Sequence, residues 1–396
     1  MAYSPEDPCF AAEFLLEPRR ARCLCVVGTR PEAIKMAPVI QALQASDWAV
    51  PYVVTTGQHA HLVEAPLKEF GVTPNRALVI DRSSGSLNEL FGKAIMEIDR
   101  LIELIRPICV VGQGDTSSVA AASLATFHNR VPFIHVEAGL RTGNMDEPFP
   151  EELNRRIAGL TSALHCAPTE RSRDNLLREG VDPGNCLVTG NTVIDALLQT
   201  ASRELPAPPG FPDQPRVILS TAHRRESFGA PLEDALTGLR AAVDTYDDLG
   251  LFFLTHPNPK AHEPAKRILG GHPRITVTDA LGYTDLVAAM QRCWIVVTDS
   301  GGLQEEAPAL GKPVLVLRDA TERPEAVDAG AVRIIGTDSI AVLDAISELH
   351  CDSRHYARMA VPVFPYGDGR AAERIVGEMR ARLVGHEARA LNFVPN

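Results

Sequence analysis

Short runs of apolar and β-branched residues recur along the chain, separated by longer stretches in which apolar and polar positions follow a helical spacing. In the first half the runs are LCVVG at 24–28, YVVTT at 52–56, ICVVG at 108–112 and FIHVEAG at 133–139. In the second half they are VILSTA at 217–222, FFLTH at 252–256, two segments at 275–279 and 295–299, and PVLVL at 313–317. Strands that are apolar on both faces belong to a parallel sheet covered by helices on each side. The pattern therefore predicts a doubly wound α/β fold, built twice.

Between the two series lies LPAPPGFPDQP, residues 205–215, whose five prolines and one glycine exclude helix and central strand alike. A chain of 396 residues also exceeds what one hydrophobic core usually serves. The expected organisation is an N-terminal extension over 1–22, a Rossmann-like domain over 23–204 and a linker over 205–215. A second Rossmann-like domain follows over 216–369, then a C-terminal helical segment, 370–396, able to cross back onto the first domain. In such an architecture ligands sit at the carboxyl ends of the strands, so a cleft between the two domains is the expected site.

Composition narrows the chemistry. Hydrophobic residues at 45% and charged residues at 22% fit an ordinary globular protein, and no apolar stretch is long enough to cross a bilayer. The first 20 residues place their acidic groups before their arginines, the reverse of a secretory signal, so a cytoplasmic protein is expected. A net charge of -11 argues against a nucleic-acid partner but not against a small anionic ligand held by a local cluster of arginines. The eight cysteines lack metal-type spacing and read as reduced thiols; no metal is expected.

Four segments carry candidate chemistry. In VVGTRPEAIKM, residues 26–36, a strand leads through a glycine turn into a helix near Pro31, and the helix start, Arg30 and Lys35 together suit an anion. The same two residues also read as solvated surface cations. In VVGQGDTSSVAAASLA, residues 110–125, Asp115 is either a helix N-cap or a functional carboxylate. The following HVEAGLRTGNMDEPFPEELNRR, residues 135–156, adds Glu137 at the next strand end, then Arg141, and after a proline-rich loop Glu151, Glu152 and Arg155. Carboxylates that converge push their pKa values apart and so supply an acid and a base, although a structural ion-pair network is the competing account. In STAHRRESFG, His223 stands at a strand end beside two arginines, which can combine anion recognition with the one side-chain type whose unperturbed pKa lies near neutral pH, although a capping or core histidine is the competing account. In VVTDSGGLQEEAPALGKPVLVLRDATERPEA, residues 296–326, Ser300, Gly301 and Gly302 offer bare amides at a helix start for a diphosphate, and Glu306 a carboxylate for ribose hydroxyls; Arg318, Glu322 and Arg323 in the loop after the next strand add charges at the same sheet edge.

GTRPEAIKMAP, HVEAGLRTG with PEELNR, TAHRRESFG and TDSGGLQEEAPALGKPVLVLRDATERPEAV resemble the signature segments of non-hydrolysing UDP-N-acetylglucosamine 2-epimerases, in register from about residue 23 to 380. The resemblance implies two Rossmann-like domains of the GT-B type, a UDP-sugar substrate, no cofactor and a homodimer. It implies catalytic roles for Asp115, Glu137, Glu151 and His223. UDP contacts are implied for Arg30, Ser300, Gly301, Gly302 and Glu306, with Lys35 and Arg155 nearby. It also implies an activating second substrate site at Gln58, His59 and His256. The chain departs from the pattern in its first 20 residues, in reading GQG before Asp115 where HG is commoner, and in THPNP at His256. The implied reaction is reversible epimerisation at carbon 2 through loss and return of UDP. An epimerase of a UDP-diacetamido-sugar uronate, a hydrolysing relative and a retaining glycosyltransferase on the same fold remain open.

Overall fold

The computed structural model describes residues 20–56, 60–78, 80, 85–222, 228–385 and 391–395. Its contacts divide the chain into two units, one running to Ala196 and completed by Gly367–Val394, the other Leu197–Tyr366.

The first unit is built on a seven-stranded sheet: β1 (Ala21–Val27), β2 (Ala49–Thr55), β3 (Arg76–Ala77), β4 (Cys109–Gln113), β5 (Phe133–Val136), β6 (Leu164–Ala167) and β7 (Cys186–Val188). The strand order is β3-β2-β1-β4-β5-β6-β7 and every pairing is parallel. The helices between the strands are α1 (Arg30–Ala45), α2 (Ala60–Glu69), α3 (Leu87–Ile105), α4 (Ser117–His128), α5 (Glu151–Thr161), α6 (Glu170–Arg178) and α7 (Thr192–Ala201). Leu24, Val26, Val54, Ile98, Leu101, Val110, Val119 and Phe133 meet in one core, as expected for strands apolar on both faces.

The second unit carries a six-stranded sheet, β8 (Arg216–Thr221), β9 (Leu249–Leu254), β10 (Ile275–Thr278), β11 (Ile295–Thr298), β12 (Val314–Val316) and β13 (Val332–Ile334). Its order is β10-β9-β8-β11-β12-β13, again parallel throughout. Its helices are α8 (Ala230–Thr245), α9 (Pro259–Leu269), α10 (Tyr283–Arg292), α11 (Gly301–Ala309), α12 (Pro324–Asp328), α13 (Ser339–Cys351) and α14 (Ser353–Met359). Ile218, Leu236, Leu251, Phe253, Ile295, Val297, Leu315 and Ile346 form the core. The final helix, α15 (Ala371–Val384), belongs to the first unit. Asp195 accepts the Ala371 and Ala372 amides at its start, at 3.2 and 2.8 Å, doing from α7 what an N-cap residue would do locally.

Two features differ from the expected organisation. The division between the units falls inside α7, between Ala196 and Leu197, not in the proline-rich stretch. That stretch packs on the second unit: Phe211 meets Phe252 edge to face at 5.3 Å, and Arg292 donates to the Leu205 carbonyl. Its prolines exclude regular structure but do not prevent packing. Among the described residues no helix is long and apolar enough to cross a membrane. Seven free cysteines are described, five of them buried.

Candidate active site

Each sheet reverses its winding at one place, between β1 and β4 in the first unit and between β8 and β11 in the second. The carboxyl ends of those strands are where a doubly wound sheet opens a ligand crevice. The candidate residues gather there. The turn after β1 carries Arg30, half-buried at the first position of α1, and the turn after β4 carries Asp115. Glu137 follows β5 directly, and Asn191 lies in the turn between β7 and α7.

Glu137 is held from three sides. Lys35 Nζ reaches Oε1 at 2.5 Å, Asn191 Nδ2 donates to the same oxygen at 2.7 Å, and Gln113 Nε2 donates to Oε2. The side chain is 5% exposed, so the Lys35 ion pair acts with little solvent screening. Its backbone takes φ of 60°, a left-handed conformation that costs a glutamate about 1 kcal/mol or more and is retained where the surroundings over-determine it. Gly114, at φ of 79°, lets the β4 strand turn sharply before Asp115, and a β-carbon there would lie 3.6 Å from Glu137 Oε2.

Asp115 accepts Arg155 Nε at 2.7 Å. Burial nevertheless pushes its pKa up, and the Arg155 guanidinium offsets only part of that effect, while the Glu137 charge adds to it. Two carboxyl groups thus stand close in different settings, one against a lysine and two amides, the other inclined to keep a proton. His135 steadies the turn from below. Its Nε2 bonds the Gly114 carbonyl at 2.7 Å, and burial lowers its pKa to about 4, so it is neutral and donates there.

Helix α5 separates two adjacent glutamates into different tasks. Glu152 is buried and accepts the Thr142 and Gly143 amides at 3.1 and 3.3 Å, together with Arg155 and Arg156. It anchors the loop after β5 to the helix that presents Arg155. Glu151, half-buried at the first helical position, has no hydrogen bond or ion pair among the described residues and is available to a ligand. The structure therefore joins Lys35 to Glu137 and Asp115 to Arg155, and leaves the Glu151 side chain unattached among the described residues.

In the second unit Asp299 and Ser300 close β11, and α11 begins at Gly301. The Ser300 hydroxyl does not cap its own helix. Glu306 is buried and takes the Tyr283 hydroxyl at 2.7 Å, which fixes the carboxylate on the first turns of α11. The loop after β12 is latched to the same helix: Thr321 donates to Gln304 at 2.6 Å, and Arg323 pairs with Glu305 at 2.5 Å and with Glu322 at 2.6 Å. A β-carbon on Gly301 would stand 2.5 Å from Arg323 Nη1. A side chain at 301 would thus have to displace the buried arginine, whereas a β-carbon at Gly302 would meet nothing nearer than 3.4 Å.

His256 accepts the Asn258 amide on Nδ1 at 3.0 Å, and Asn258 caps α9. Gln58, His59 and His223 lie outside the described residues. Among the described residues no group of three His, Cys, Asp or Glu side chains is placed to hold a metal ion.

Sequence reasoning missed Asn191 and Tyr283, which act through partners distant in sequence, and noted Gln113 only as the unusual residue in GQG. Glu152 and Arg323 were visible in their segments, but not their parts in anchoring the loop after β5 and in latching the loop after β12 to α11.

The family description UDP-N-acetylglucosamine 2-epimerase matches residues 41–380. The UDP-N-acetylglucosamine 2-epimerase of Escherichia coli K12 is 42% identical over 370 residues, covering 91% of this chain and 98% of that protein. S. aureus MnaA, solved with UDP, superposes with a TM-score of 0.88 at 41% identity, covering 94% of this chain and all of the other. The UDP-GlcNAc 2-epimerase of Neisseria meningitidis, solved bound to UDP-GlcNAc, gives a TM-score of 0.83 at 39% identity over 90% of this chain and 98% of that one. With two Rossmann-like units and a match over most of its length, the chain belongs to the UDP-N-acetylglucosamine 2-epimerase family.

Proposed function

We propose that the protein interconverts UDP-N-acetylglucosamine and UDP-N-acetylmannosamine by reversible epimerisation at carbon 2. The observation that carries this reading is the pair of neighbouring carboxyl groups, Glu137 braced by Lys35, Gln113 and Asn191, and Asp115 with its pKa pushed up by burial. Environments that differ in this way supply a proton acceptor and a proton donor at one site.

The hydrogen on carbon 2 is not adjacent to a carbonyl, so its direct removal at neutral pH is unfavourable. Breaking the bond between the anomeric carbon and the diphosphate oxygen opens another route. The electron pair leaves with UDP, a carboxylate takes the carbon 2 proton, and a carbon 1–carbon 2 double bond forms. Re-addition of UDP with protonation from the opposite face gives the epimer, and no net redox change occurs. Asp115, Glu137 and Glu151 are the groups for the two proton transfers. His223 is proposed to assist the leaving diphosphate or a proton transfer.

Arg30 supplies positive charge where negative charge develops on the departing diphosphate. Ser300, Gly301 and Gly302 are proposed to receive the diphosphate at the start of α11, and Glu306 to take ribose hydroxyls. Arg155 is engaged with Asp115, so its proposed part is to set that carboxyl group rather than to meet UDP directly. The same reading includes a homodimer and activation by UDP-N-acetylglucosamine through Gln58, His59 and His256; sigmoidal dependence of rate on substrate is the expected sign of the second.

The test is incubation of the pure protein with UDP-N-acetylglucosamine alone. The proposal expects an equilibrium mixture of the two UDP-sugars without stoichiometric UDP. Accumulation of UDP with free N-acetylmannosamine would mark a hydrolysing enzyme, and turnover only with an added acceptor alcohol a glycosyltransferase; either result overturns it.

A further inference from the structure

The segment TGNTV, residues 189–193, leads from β7 into α7, and its asparagine holds two partners at once. Asn191 Oδ1 accepts the Val193 amide at 3.1 Å, one of the first-turn amides that have no partner within a helix. Only the oxygen of the carboxamide can accept that N–H, so the other end of the group is the NH2. That end meets Glu137 Oε1 at 2.7 Å, with Asn191 only 2% exposed. The carboxamide therefore reaches Glu137 purely as a donor, on the same oxygen that Lys35 bonds from α1.

The turn that carries Asn191 is itself held by the returning chain. The first unit regains the chain at Gly367, in PYGDG, residues 365–369. Gly367 takes φ of 152°, and a β-carbon on it would stand 3.2 Å from both the nitrogen and the carbonyl oxygen of Asn191. Glycine here lets two backbones approach closely. Next to it, Asp368 accepts Arg374 Nη1 and Nη2 at 2.6 and 2.7 Å, and Arg374 Nη1 also donates to the Thr189 carbonyl at 3.3 Å, two residues before Asn191. One helical turn after Asn191, Asp195 accepts the Ala371 and Ala372 amides. Residues 367–374 thus meet the turn before, at and after its asparagine.

We propose that Asn191 is a positioning residue for the epimerisation: its NH2 group fixes the Glu137 carboxyl group in place for proton transfer, and the returning segment Gly367–Arg374 fixes Asn191. The proposal rests on the function proposed above.

Asn191→Ser separates the cap from the donor. Serine caps a helix about as well as asparagine, so the Val193 amide keeps its acceptor, but its side chain is too short to carry the contact to Glu137. Asn191→Ser is expected to lower kcat about 30-fold, the scale of one lost hydrogen bond to a charged group, with KM for UDP-N-acetylglucosamine changed by less than about threefold. A role in capping alone would leave kcat at the parent value, so a folded Asn191→Ser protein with kcat within about threefold of the parent overturns the proposal. Thr169→Ala, which removes the N-cap of α6, is the control for lost stability alone.

Hydrogen–deuterium exchange tests the support without reference to activity. Gly367→Ala, which needs the Asn191 backbone to move, and Arg374→Ala, which frees the Thr189 carbonyl, should each speed exchange at 189–193 and lower kcat about tenfold. Parent-like exchange at 189–193 in both folded variants overturns the part given to the returning segment. If the parent protein itself does not epimerise UDP-N-acetylglucosamine, the functional reading fails and the role toward Glu137 with it, while the exchange at 189–193 still decides whether the returning segment holds the turn.

Discussion

At the scale of single residues the candidate site gives like side chains unlike surroundings. Glu137 and Asp115 are both carboxylic acids at strand ends, yet one is pinned by a lysine while the other is pushed by burial toward holding its proton. Replacing either by its amide should leave the fold intact and lower kcat by about 10³-fold, the usual scale for loss of a positioned acid or base; steady-state rates of Asp115→Asn and Glu137→Gln check this. Glu151 and Glu152 show the same principle in reverse. Glu152→Gln should weaken the loop anchored at Thr142 and Gly143 and so lower the melting temperature, while Glu151→Gln should lower kcat and leave melting within about 1 °C. Glu32, buried in the first turn of α1, carries a pH signature as well. Burial raises its pKa from 4.5 to about 7, so between those values the folded chain binds more protons than the unfolded one and loses stability as pH rises. The loss amounts to about 3 kcal/mol and is absent in Glu32→Gln. His135, lowered to about 4, acts in the opposite sense on the acid side, which is why the comparison must be parent against variant. Denaturant titrations from pH 4.5 to 8 should show the Gln variant gaining on the parent as pH rises.

At the scale of elements, short turns after strands do the positioning, and helix starts are specialised by what occupies them. The start of α1 is filled by Glu32, which accepts the Gly28 amide, whereas α11 begins with two glycines and no side-chain cap. Alanine at 301 must displace Arg323, which is itself locked to Glu305 and Glu322, so Gly301→Ala should weaken UDP binding about tenfold or more and also lower stability. Gly302→Ala, with its nearest neighbour at 3.4 Å, should cost UDP affinity without comparable loss of stability; calorimetric titration with UDP and thermal melts distinguish the two. Most strands were legible from the apolar runs, because a sheet covered on both faces leaves continuous hydrophobic segments. β3, β6, β7 and β13 were not: β3, β7 and β13 are two or three residues long, and in the LHCA of β6 a histidine interrupts the apolar run. Asp115, Glu137, Lys35 and Arg155 could be named from their motifs. That Lys35 meets Glu137 across 102 positions, or that Asn191 joins them, depends on strand order, which periodicity does not encode.

At the scale of the whole molecule, the chain returns at its end to complete its first unit. Ile375, Val376 and Met379 of α15 are buried, Asp195 caps the helix, and Phe393 donates its amide to the Val188 carbonyl at the edge strand. Three such side chains contribute roughly 5 kcal/mol by burial, comparable with the stability of a domain. A protein ending at Tyr366 should therefore fail to fold its first unit, giving insoluble material or loss of its cooperative melting transition. The proline-rich segment, which looked like the boundary, instead packs on the second unit. The function proposed assigns proton transfer to residues of the first unit and the nucleotide to residues of the second. The most direct measurement of that function is a proton NMR spectrum of UDP-N-acetylglucosamine incubated with the protein in heavy water. The account predicts that the UDP-N-acetylmannosamine formed carries deuterium at carbon 2; product that retains its original hydrogen there would contradict it.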